Sequence, residues 1–79
     1  MITGATRGKI FLSVGGRAAK VSVEAYFRPH TDPNTPDFDV YENWVDWEDG
    51  GPMTAEEKQT ILDDLFASAR QKGWTLAVV

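Results

Sequence analysis

A chain of 79 residues with 42% apolar and 11% aromatic residues reads as one globular domain spanning 1–79, and at this length folding hides only about 60% of the surface exposed by the unfolded chain. The absence of cysteine excludes a disulfide framework and a thiolate metal centre, leaving a small core, helped by any partner chain, to hold the fold. The net charge of -4 is sorted along the chain: residues 1–31 carry Arg7, Lys9, Arg17, Lys20 and Arg28 against Glu24 alone, whereas residues 32–64 carry eleven acids against Lys58 alone, an acidic stretch that repels phosphate and argues against direct nucleic-acid binding.

The start, MITGATRGKIF, contains no apolar run fit for a signal peptide, and nowhere do about eighteen apolar residues follow one another. The expectation is a cytoplasmic protein with no membrane contact. The first regular signal is KIFLSV-GG-RAAKVSV, in which a glycine pair able to take positive φ separates two alternating runs, as in a two-residue hairpin. With Gly15 and Gly16 as the turn, Ile10, Leu12, Ala19, Val21, Val23, Ala25 and Phe27 share one face, and Lys9, Phe11, Lys20, Ser22, Glu24 and Tyr26 share the other.

RPHTDPNTPD follows, with three prolines in ten residues, and reads as a loop that contains His30. FDVYENWVDWE is rich in aromatic and β-branched residues and predicts a third strand. Its alternation breaks, because Phe38 and Val40 mark one phase and Val45 and Trp47 the other. A one-residue bulge between Tyr41 and Trp44 reconciles them. The Gly50-Gly51-Pro52 run ends the strand, and Thr54-Ala55-Glu56-Glu57 has capping-box spacing, so a helix starts here. Ile61, Leu62, Leu65, Phe66 and Ala69 form its apolar stripe, with Gly73 at its end and Trp74 folding back onto the last turn. WTLAVV alternates weakly and adds at most a short edge strand. The predicted fold is α+β, a three-stranded antiparallel sheet with an optional fourth, C-terminal strand and one helix on one face. A final strand beside the third would require a right-handed crossover.

The residue inventory disfavours catalysis. There is no cysteine, and Ser13, Ser22 or Ser68 would each have to reach the lone His30 to build a nucleophilic triad. Asp46 and Glu48 share a strand face, as acid–base chemistry would use, but exposed carboxylates at this spacing are common on solvated strands. The stretch from Asp46 to Glu57 matches part of a calcium loop and then fails it, with glycine at position 5 and a strand leading in. The expectation is a non-enzyme with no cofactor and no metal. Trp47 reads as core. Trp44, on the outer face with Glu42, Asp46 and Glu48 and near Tyr26, reads as part of an aromatic patch with an acidic rim, the composition of an interface anchor. The candidate partner-binding residues are Tyr26, Asp39, Glu42, Trp44, Asp46, Glu48, Asp49 and Glu56. The bland alternative has these acids paired across strands with Lys9 or Lys20.

The run KVSVEAYF, the excursion RPHTDPNTPD, the acidic strand and WEDGGPMTAEE opening a single helix resemble, over about residues 9–72, small proteins encoded by bacteriophages and prophages, among them anti-CRISPR and other host-takeover proteins. The resemblance implies a non-enzymatic module that binds and inhibits a bacterial host protein, such as a CRISPR effector, in the host cytoplasm. In that setting the acidic segment would act as a phosphate mimic that steers the protein to a basic groove. The second reading is a small homo-oligomeric structural protein, a homodimer for instance, whose aromatic sheet face is a self-interface.

Overall fold

The computed structural model describes residues 1–26 and 36–79. Phe27, His30 and most of the proline-rich loop fall outside the described residues. Six elements follow in order: β1 (Ile2–Ala5), β2 (Lys9–Val14), β3 (Arg17–Ala25), β4 (Phe38–Trp47), α1 (Ala55–Lys72) and β5 (Leu76–Val78). The strands form one sheet in the order β1-β2-β3-β4-β5, antiparallel throughout except that β5 runs parallel to β4.

The hairpin forms in the expected register, with Val14 opposite Arg17, Leu12 opposite Ala19 and Ile10 opposite Val21. Gly15 and Gly16 have φ of 60° and 80°, the two successive left-handed residues of a turn whose twist matches the flanking strands. Ile10, Leu12, Ala19, Val21 and Val23 are all buried on the face that receives α1. From the helix come Ile61, Leu62, Leu65 and Ala69, and from β4 come Val40, Val45 and Trp47.

The sheet has five strands rather than three or four. The first, β1, was not legible because ITGA offers a single strong apolar residue. Ile2 nevertheless pairs with Leu12 and is buried, so tertiary burial overrides a weak local signal. At the other end β5 does join beside β4, with Phe38 opposite Leu76 and Val40 opposite Val78.

The irregularity in β4 is larger than a one-residue bulge. Val21 pairs with Val45 and Val23 with Val40, so Ser22 alone stands opposite the four residues Tyr41, Glu42, Asn43 and Trp44. Three residues are inserted. Any odd insertion turns both Val40 and the Val45/Trp47 pair inward; the choice of three rather than one lifts a short exposed arch out of the sheet. Lys58 on the helix reaches the side chain of Asn43 in this arch at 3.5 Å.

Both helix ends are capped. The Thr54 hydroxyl accepts from the Glu57 N–H at 3.1 Å, and the Glu57 carboxylate accepts from the Thr54 N–H at 2.9 Å, which completes the capping box. At the far end Gly73, at φ 75°, donates to the Arg70 carbonyl and Trp74 to the Ala69 carbonyl, the paired bonds of a Schellman motif. Trp74 then packs on Phe38, ring centroids 5.1 Å apart, and so anchors the helix end to the start of β4.

Candidate interaction surface

Alternation along β2, β3 and β4 sends Lys9, Lys20, Ser22, Glu24, Asp39, Trp44 and Asp46 to the face of the sheet opposite α1. No element among the described residues covers that face. At its centre the β4 arch projects Trp44, whose surface is 65% exposed, and Tyr41, at 36%. Between them and the sheet lies a groove of about 350 Å³ lined by Lys9, Ser22, Val23, Tyr41 and Trp44. Lys9 is held at its base, its ammonium donating to the Ser22 hydroxyl at 2.7 Å rather than to a carboxylate.

Two tyrosines lock neighbouring acids. The Tyr26 hydroxyl donates to Asp39 at 2.5 Å, and this bond, aided by burial and by the nearby charge, pushes the phenol up to about 12. Tyr41 donates to Glu24 at 3.2 Å, and its pKa is likewise raised, chiefly by that bond. Tyr41 is thereby braced across the arch. The remaining acids of this region are left open: among the described residues Glu42, Asp46, Glu48 and Glu56 take part in no ion pair. Lys20 faces Asp46 directly across β3 and β4, yet no ion pair closes between them. Among the described residues, then, neither Lys9 nor Lys20 closes a cross-strand ion pair with these acids.

Of the eight residues singled out in the sequence, Tyr26, Asp39, Trp44 and Asp46 share this outer face, Glu42 stands on the arch and Glu48 just beyond the end of β4. Asp49 and Glu56 lie elsewhere. Asp49 grips Arg17 through two parallel bonds, to Nε at 2.9 Å and Nη2 at 3.0 Å, and accepts the Gly51 N–H at 2.8 Å. The Arg17 bond holds the Asp49 pKa below the usual carboxylate range, and the partner raises that of Arg17. Glu56 opens α1 beside a second hollow, lined by Val14, Trp47, Thr54, Glu57 and Thr60 as well. Trp47 is buried there, and its indole Nε1 makes no hydrogen bond of normal geometry, although it is the smallest of the influences that lower the Glu57 pKa; the largest is the Thr54 N–H.

Residues the site uses but sequence reasoning did not assign to it are Tyr41, Lys9, Ser22 and Glu24. The last three were placed on the correct face by alternation; hidden were the groove that Lys9 and Ser22 share with Trp44 and the bond that Glu24 receives from Tyr41. Tyr41, next to the inward Val40, follows the same alternation as Asp39 to the outer face; what alternation could not show was its bond to Glu24 and its place beside Trp44, which depend on the arch. The calcium-loop pattern is filled otherwise, Glu57 and Thr54 being occupied by the helix cap. No group of three or more His, Asp or Glu among the described residues is placed to hold a metal, and no helix there is long and apolar enough to cross a membrane.

Residues 1–79, the whole chain, match the family model for Immunity protein 74. The chain belongs to that family. No curated protein and no solved structure gives a match. Immunity proteins are bacterial proteins of the toxin–antitoxin kind, inhibitors that act by binding a partner toxin. The coarse part of the resemblance to small phage proteins, a protein-binding inhibitor, thus stands, while nothing in the family points to a phage origin or to a CRISPR effector. For an Immunity protein 74 chain the open aromatic and acidic face becomes the first place to look for the partner.

Proposed function

We propose that the chain neutralises a partner toxin in the bacterial cytoplasm by binding it, without catalysing a reaction, and that the docking surface is the outer sheet face centred on Trp44. The observation that carries this reading is the conjunction at the β4 arch: an indole 65% exposed, a braced tyrosine beside it, a groove between them, and carboxylates that form no ion pair among the described residues. Exposed tryptophan and tyrosine are the side chains most enriched among residues that dominate binding energy, since they bury much area at little entropic cost. Unpaired carboxylates around them speed encounter with a basic surface and make the association sensitive to salt.

The test is co-expression with a candidate partner toxin, scored by growth and by isothermal titration of the purified pair. The wild type protects, and its affinity falls as salt rises from low to high concentration. Trp44→Glu, still folded by circular dichroism, loses protection. If Trp44→Glu protects and binds as well as the wild type, the docking surface lies elsewhere. Molar mass in solution separates the self-interface reading: a wild-type dimer split by Trp44→Glu would assign this face to a second copy of the chain.

A further inference from the structure

The hexapeptide Trp44-Val45-Asp46-Trp47-Glu48-Asp49 contains the same triplet twice, a tryptophan followed two residues later by an aspartate. The second copy is occupied within the fold. Arg17 lies with its guanidinium carbon 4.2 Å from the Trp47 ring centroid and bonds Asp49 through two parallel N–H groups. The first copy has the same two chemical components on the opposite face of the sheet, and no cation of the described chain sits on it. Trp44 is exposed, and Asp46 is exposed and in no ion pair.

We infer that Trp44 and Asp46 form a receptor for an arginine side chain presented by the partner protein. This rests on the outer face being the docking surface and adds the chemistry of the residue it receives. An indole face attracts a weakly hydrated planar cation, and a carboxylate two residues along a strand lies on the same side, at a reach suited to the forked N–H groups of guanidinium. Lysine meets the charge but not the fork. The Lys9 ammonium in the adjoining groove repels a second cation, which places the guanidinium on the Asp46 side of Trp44. Among the described residues, Glu24, Asp39 and Asp46 on the face and Glu42 on the arch outnumber Lys9 and Lys20, so the field favours a basic partner. Lys20, opposite Asp46 but not bonded to it, is the resident competitor, and an incoming arginine displaces nothing that is already formed.

The experiment is an NMR titration of the full chain, followed at the indole N–H signals, with three blocked tripeptides: Gly-Arg-Gly, its lysine counterpart and its citrulline counterpart. The Trp44 signal, identified by its loss in Trp44→Leu, should shift saturably with the arginine peptide, several-fold more weakly with lysine and not with citrulline, while the Trp47 signal stays fixed. Asp46→Asn should weaken the arginine response about tenfold, and Lys20→Met should strengthen it. Equal responses to arginine and citrulline, an unchanged titration in Asp46→Asn, or no movement of the Trp44 signal overturns the inference. Because no toxin is present, the two readings fail separately. A null titration beside a toxin interaction that Trp44→Glu abolishes leaves the docking face standing and removes only the arginine receptor.

Discussion

Arg17 stacks on Trp47 while it grips Asp49 with two parallel hydrogen bonds, so a single cation joins the β2–β3 turn to the segment that leads into α1. Glu57 of the helix cap adds a more distant charge contact at 3.9 Å. Gly51 leaves room for this pair: a Cβ there would sit 2.5 Å from Arg17 Nη2 and 2.9 Å from Asp49 Oδ1, so a side chain at that position would make the two side chains shift. Arg17→Ala should lower the melting temperature by a few degrees, and Arg17→Lys should recover little of it, since an ammonium cannot make the paired bonds or stack as a plane. Calorimetry of the three proteins at one salt concentration checks this.

The same cluster sets an acid limit on stability. The folded-state pKa of Asp49 is held below 3.8 by its bond from Arg17, and that of Glu57 below 4.5 by the Thr54 N–H. A carboxylate with a depressed folded pKa contributes stability that is present above its unfolded value and is lost as pH falls through the folded one. Urea midpoints should therefore hold steady near neutrality and decline below about pH 4.5. Asp49→Asn should flatten the lower part of that decline. Thr54→Ala should remove about 1 kcal/mol at neutral pH through loss of the cap.

Tyr26 sets a limit at the alkaline end. Its phenol, raised to about 12 by the Asp39 bond, stays protonated in the fold at a pH where the unfolded chain has already ionised. The stability it contributes is complete below the ordinary value of 10 and is lost as pH climbs toward the folded one. A spectrophotometric titration should show a tyrosine that ionises late, and Asp39→Asn should move that step down toward 10.

Core and surface substitutions should separate cleanly. Leu65 is fully buried, and Leu65→Ala should cost about 2–5 kcal/mol, enough to unfold much of so small a domain. Trp44→Glu, on the exposed arch, should change stability by no more than about 0.5 kcal/mol. Paired urea titrations decide it.

The length of the arch can be tested by deletion. Removing Asn43 alone leaves an even insertion, which would turn Val45 and Trp47 outward and should abolish folding. Removing Glu42 and Asn43 together leaves an odd insertion of one, keeps Val40 and Val45 inward, and should yield a folded protein whose Trp44 groove is gone and whose toxin binding is lost. Circular dichroism with a binding assay distinguishes these outcomes.

Features encoded within a few residues were settled by the sequence alone. The Gly15-Gly16 turn fixes the hairpin register, because positive φ at both positions leaves one favourable pairing and alternation then assigns every side chain to a face. Thr54 and Glu57 start the helix, and Gly73 ends it, through bonds to backbone groups close in the chain. The phase break in β4 likewise showed that an odd number of residues had to be inserted. How many was decided by tertiary packing: one and three satisfy the same alternation, and only the pairing of Val23 with Val40 against Val21 with Val45 selects three. Burial of Ile2, the parallel docking of β5, and the choice of Asp49 over the other acids as Arg17's partner follow from contacts between residues distant along the chain. The outer face belongs to both levels, since local alternation placed Trp44 and Asp46 together, while the arch that exposes the indole exists only once β3 and β4 have paired.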